Sequence, residues 1–213
     1  MLKGAVTAGL LAISVIAGAR AQGGGSDAAE APVPTRPSGA DWSAWTRPLG
    51  PAAGTSRRIE ADPGAAAPVP DPEIDVVDAR WMALTMWGEA RGGGEAAMRA
   101  VGHVIDNRSR AGLRSRFVTD TVSEAFQFSC WNAGDPNREA MMNVDSLPPD
   151  SADHLMWLAA RRVAEEILSG RSEDPTGGAL FYHTTAVSPR WSAGVAPTRQ
   201  IGRHLFFRAA RRA

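Results

Sequence analysis

The chain has 213 residues and a formal net charge of zero, which removes the broad electrostatic attraction that nucleic-acid binders depend on. Cys130 is the sole cysteine, so an intrachain disulfide is excluded and the fold has to rest on a hydrophobic core. Lys3 is the only lysine, which leaves no phosphate loop ending in Lys-Ser or Lys-Thr.

In chain order, Lys3 gives a short positive start, an apolar run follows from Ala5 to Ala17, and Ala19-Arg20-Ala21 has the small-x-small pattern of a signal-peptidase site. The run is shorter than the roughly 20 residues a membrane helix needs. Residues 1–21 are therefore expected to be a cleaved export signal, with an uncleaved anchor as the alternative. Residues 22–73 are rich in alanine, glycine and proline and read as an extended tether interrupted by Trp42 and Trp45.

Residues 74–213 change in character and are long enough for one core. Asp75 to Ala90 predicts a helix with Val77, Trp81, Leu84 and Gly88 along one face. Gly92-Gly93-Gly94 breaks it. A second helix is expected from Glu95 to Ser109, with Ala97, Val101, Val104, Ile105 and Arg108 at helical spacing. Thr121 with Glu124 has the pattern of a capping box opening a short helix, and Phe126 to Pro136 reads as a loop. Ser151 to Ser169 predicts a long helix with Leu155, Ala159, Val163 and Ile167 as its buried stripe and Gly170 at its end. Ala179 to Thr185 and Ile201 to Arg208 read as strands. The expected fold is α+β and mainly helical, with a small antiparallel sheet.

Common catalytic devices are largely missing. The four histidines, His103, His154, His183 and His204, do not form His-Glu-x-x-His, and no Gly-x-Ser-x-Gly occurs. Cys130 is either a nucleophile or a buried, inert thiol. What remains is Glu89, at the end of an apolar helix in Trp87-Gly88-Glu89-Ala90-Arg91-Gly92. Burial against Trp87 or Met86 would disfavour its ionised form and suit a general acid. The alternative is an ion pair with Arg91 or a capping role at the corner.

Five pieces in order then carry a resemblance: Glu89-Ala90-Arg91-Gly92, Val104-Ile105-Asp106-Asn107-Arg108, Gln127-Phe128-Ser129-Cys130-Trp131-Asn132, Asp174-Pro175-Thr176-Gly177-Gly178-Ala179 and Ile201-Gly202-Arg203-His204-Leu205-Phe206. From Ala79 to Phe207 the chain resembles the SleB/CwlJ-type cell-wall hydrolases, a family that includes spore-cortex-lytic enzymes. The resemblance implies a lysozyme-like, lytic-transglycosylase-like domain acting on peptidoglycan, with Glu89 as the essential acid. The family usually has a second glutamate directly after the motif glycine, where this chain has Gly93. If the family's second acid mainly supports substrate binding, Gly93→Glu is expected to improve activity or leave it unchanged.

Against that background, Gln127, Ser129, Trp131 and Asn132 offer amides, a hydroxyl and an indole suited to holding a sugar, or they form a buried loop. Asp174 is first a turn residue and second a substrate contact. Tyr182 and His183 end a strand near that turn and can face the cleft, and Trp191 can stack a sugar or belong to the core. The expected reaction cuts the β-1,4 bond between N-acetylmuramic acid and N-acetylglucosamine, with no metal or cofactor. Rivals are a hydrolytic muramidase using Asp135 or Asp174 as second carboxylate, a zinc amidase, and a binding module without turnover. The protein is expected to be exported to the periplasm or cell wall and to act as a monomer.

Overall fold

The computed structural model describes residues 74–113, 115–124 and 127–208. The expected export signal, the tether with Trp42 and Trp45, Phe126 and the basic residues after Arg208 lie outside the described residues.

Among the described residues, five α-helices precede a three-stranded sheet. Helix α1 spans Val76–Ala90, and a 3₁₀ turn at Arg91–Gly93 leads into α2, Gly94–Ala111. Helix α3 is Val118–Ser123, α4 is Pro136–Met142 and α5 is Ala152–Leu168. Strands β1, β2 and β3 are Phe181–Thr184, Arg199–Ile201 and His204–Phe207, in the antiparallel order β1-β3-β2. The expectation of a mainly helical α+β domain with a small antiparallel sheet holds. None of the described helices is long and apolar enough to cross a membrane.

Helix α1 is central because its sequence is apolar all round rather than on one stripe. Eleven of its fifteen residues are buried, and it packs against α2, α3 and α5. Asp75 caps it by accepting from the N–H groups of Val77 and Asp78. In α2 the expected stripe of Ala97, Val101, Val104, Ile105 and Arg108 is buried throughout. Helix α5 is capped by Ser151, and Val163 and Ile167 of the expected stripe are buried, but its first half is not. Leu155 is 53% exposed, whereas Trp157, Ala160, Val163, Ala164 and Ile167 are buried. Alanine at 160 and 164 shares this face with Trp157, Val163 and Ile167, and Leu155 lies outside it.

Two further expectations are corrected. The short helix α3 ends at Ser123 instead of starting at Thr121. Thr121 lies inside it and donates to the Phe117 carbonyl at 2.9 Å. Its opening turn is satisfied by α1: the Asp78 carboxylate accepts from Val118 N at 3.2 Å, Thr119 N at 2.9 Å and the Thr119 hydroxyl at 2.6 Å. The expected second strand is two strands joined by the Gly202-Arg203 turn, where Gly202 has a φ of 56°.

The sheet separates two packing regions. In the register Tyr182 faces Phe206 and Phe181 faces Phe207. Tyr182 and Phe206 join the main core, while Phe207 packs with Trp191 and Phe181 in a smaller cluster. Alternation along a strand sends neighbouring residues to opposite faces, so β1 serves both regions.

Candidate active site

Glu89 stands in the last turn of α1. Two segments distant in sequence close on it: a 3₁₀ turn at Ser129–Trp131 and strand β1. The turn approaches α1 closely because residue 88 is glycine. A Cβ there would lie 2.2 Å from Met141 Sδ and 2.8 Å from Cys130 Cβ. Trp131 pins the same turn, donating from its indole N–H to the Thr85 hydroxyl at 3.0 Å and stacking on Trp81 with ring centroids 4.7 Å apart. Thr85 in turn donates to the Trp81 carbonyl at 2.8 Å.

The carboxyl of Glu89 is met from both segments. Oε1 accepts from Cys130 N at 2.9 Å and from the Ser129 hydroxyl at 3.1 Å. Oε2 accepts from the Tyr182 phenol at 3.0 Å. Burial pushes the pKa of Glu89 up, and hydrogen bonds from Cys130, Tyr182 and Ser129 oppose that rise without cancelling it. Burial also pushes the Cys130 thiol and the Tyr182 phenol well above their ordinary ranges, and the neighbouring Glu89 charge adds to this. Cys130 therefore stays a neutral thiol, not a poised nucleophile. Arg91 does not pair with Glu89: it bonds Asp153 at 3.1 Å and Asn137 at 2.9 Å, and its guanidinium lies 4.0 Å from the Trp87 ring centroid. The arrangement is a protonatable carboxyl with neutral donors set around the charge it acquires on releasing its proton.

The remaining expected site residues divide. Gln127 is buried and accepts from Arg108 at 3.3 Å. Trp131, expected to stack on a sugar, is held in the core. Asn132 is half-buried, and its backbone N–H bonds the Ser129 carbonyl at 2.9 Å. Asp174 is engaged locally: Oδ1 accepts from Thr176 N and Oγ1 at 2.7 and 2.6 Å, and Oδ2 from Gly178 N and Asn107 Nδ2 at 2.8 and 3.0 Å. Burial raises its pKa, but these bonds outweigh it and hold the carboxyl below its ordinary value. Asp135 caps α4 by accepting from Asn137 N at 2.8 Å.

His183 and Trp191 are away from Glu89, on the opposite face of the sheet. His183 stacks on Phe207 at 5.1 Å and meets Trp191 edge-on at 5.4 Å. Among the described residues no group of three or more His, Cys, Asp or Glu side chains is placed to hold a metal ion. Glu95 pairs with Arg99 at 2.8 Å and Arg162 at 2.6 Å, which ties α2 to α5. The residues that sequence reasoning missed are the ones that build the acid's surroundings: Gly88, Thr85, Cys130 and Arg108. Gly88 carried a local signal, a glycine tolerated inside a helix directly before Glu89, and Cys130 and Arg108 stood in the motif pieces that carry the resemblance.

No curated protein matches the chain. Two solved structures are similar to it. One is the catalytic domain of the germination-specific lytic transglycosylase SleB from Bacillus anthracis, 23% identical over 65% of this chain and 99% of that one, with a TM-score of 0.45. The other is the catalytic domain of the Bacillus cereus SleB protein, 24% identical over 68% of this chain and 98% of that one, with a TM-score of 0.46. The family model described as Cell Wall Hydrolase matches residues 92–207, from the turn just after Glu89 through the last strand. That match spans more than half of the sequence, and the chain belongs to the cell wall hydrolase family.

Proposed function

We propose that this domain cleaves the glycan strand of peptidoglycan between N-acetylmuramic acid and N-acetylglucosamine as a lytic transglycosylase, with Glu89 as acid and then base. The observation that carries the reading is the enclosure of Glu89: burial favours its protonated form, while Ser129, Cys130 N and Tyr182 stand ready to stabilise the carboxylate. Protonated Glu89 donates to the glycosidic oxygen as the bond to the muramic anomeric carbon breaks. The carboxylate then takes the proton of the muramic 6-hydroxyl, whose oxygen bonds to that carbon and closes a 1,6-anhydro ring. One carboxyl serves both steps, and the atoms balance without water. Export through residues 1–21 would deliver the enzyme to the periplasm or cell wall.

A hydrolytic muramidase would need a second carboxylate to activate water or trap the sugar. Asp135 and Asp174 were the candidates, and the hydrogen bonds of both are directed to nearby backbone and side chains. Mass spectrometry of products from purified sacculi tests the proposal. Anhydro-muramic ends are expected, with only partial loss of rate in Asp135→Asn and Asp174→Asn. Glu89→Gln should lose about 100-fold or more, the range for a general acid. Reducing muramic ends abolished by either asparagine variant would favour the muramidase, and a folded, fully active Glu89→Gln would remove Glu89 from the chemistry.

A further inference from the structure

We infer that Arg108 is a positioning residue for the reaction, because one buried guanidinium fastens together both segments that deliver hydrogen bonds to Glu89. The inference rests on the assignment of Glu89 as the acid. Arg108 lies near the end of α2 and is only 5% exposed. Its Nε donates to the Leu180 carbonyl at 2.6 Å, two residues before Tyr182. Its Nη1 donates to Gln127 Oε1 at 3.3 Å, two residues before Ser129. The guanidinium lies 5.1 Å from the Phe128 ring centroid and 5.9 Å from that of Phe181, so it also packs between the residues following each acceptor. A planar cation with donors pointing in several directions can span two such acceptors, whereas a lysine ammonium on the same stem cannot reproduce the fork.

The position also has an electrostatic consequence. Tyr182, Glu124 and Glu89 all lie within reach of the Arg108 charge. Around Glu89 the titratable neighbours are Cys130 from the 3₁₀ turn and Tyr182 from β1, both held neutral by burial. Arg91, on the acid's own turn, is directed to Asp153 and Asn137. By the same Coulomb attraction the Arg108 cation favours the carboxylate of Glu89. Removing the charge should raise the pH at which Glu89 ionises, and activity that needs protonated Glu89 should then persist to higher pH.

The test measures kcat, KM and pH profiles of Arg108→Met, Arg108→Lys and Gln127→Leu on soluble glycan fragments, with Glu89→Gln in parallel. Arg108→Met should lower kcat about 10- to 100-fold, the scale of a small misplacement of catalytic groups, and shift the basic limb of the profile upward. Arg108→Lys should leave that limb near its wild-type position and recover only part of kcat. Gln127→Leu should lower kcat without moving the limb. A merely structural Arg108 would lower the melting temperature while the folded fraction kept wild-type kcat and profile, and that result overturns the inference. If Arg108→Met fails to fold, wild-type kcat in both Arg108→Lys and Gln127→Leu overturns it equally. An active Glu89→Gln would defeat the acid assignment itself, whereas an inactive Glu89→Gln beside wild-type-like Arg108 variants would defeat the bridging role alone.

Discussion

Enclosing Glu89 among Ser129, Cys130 and Tyr182 links the protonation of the acid to the stability of the fold. Its folded pKa is raised by burial, so the native state holds this proton more tightly than the unfolded chain does. Stability contributed by the protonated group is full below the unfolded carboxylate pKa, about 4.3. It is lost as pH rises through the folded pKa, after which the penalty is constant. Glu89→Gln removes the penalty, so its melting temperature relative to wild type should climb from pH 4 and level off above the folded pKa. A difference that is flat or falling over that range would contradict the raised pKa. Glu89 stood out from its setting in Trp87-Gly88-Glu89, but the groups that hydrogen-bond it did not. They come from residues 40 to 93 positions away, and no local pattern announces such contacts. Tyr182, expected as a substrate contact, donates to the Glu89 carboxyl. His183 was separated from it by strand alternation, a phase that the sequence around β1 leaves open because both faces carry aromatic residues, and Trp191 packs on that same far face from the turn at Arg190–Ser192.

Close approach between segments governs the effects of substitution in the secondary structure around the acid. Gly88→Ala would drive a methyl into Met141 and Cys130, the contacts that seat the 129–131 turn. Overpacking of this kind costs about 1–3 kcal/mol, and it should also lower activity by moving Cys130 N from Glu89. A thermal unfolding curve with a sacculus assay checks both effects. The expectation that Gly93→Glu would improve or preserve activity changes on the same grounds. A Cβ at residue 93 would lie 2.7 Å from Ala97 Cβ, so the start of α2 would have to shift, and a loss of stability is expected. An unchanged melting temperature would show that the turn yields freely. Helices α1, α2 and α5 could be read because each is a long segment rich in apolar residues and bounded by glycine, at 92–94, 112 and 170. Helix α3 was misplaced because its cap, Asp78, lies about 40 positions earlier. Helix α4 did carry local signals, with Asp135 as cap and Pro136 in its first turn, but the same Asp-Pro pair also suits a turn.

The main core runs from Val77 to Phe206, and the family match ends one residue beyond it. A chain starting near Pro72 should therefore fold cooperatively and digest sacculi at the rate of the longer form. Loss of folding in that chain would mean that earlier residues, Trp42 or Trp45 among them, complete the core. The order of segments along this core also bears on when the enzyme becomes competent. Glu89 belongs to the first described helix, while Tyr182, which bonds it, lies 93 positions later. All five described helices are complete by Leu168, before β1 begins at Phe181. A growing chain can thus contain the whole helical body and its acid without the phenol that finishes the acid's surroundings. Timing is written into connectivity: the segment that completes the surroundings of Glu89 is made after every described helix, and those surroundings stay unfinished until β1 exists.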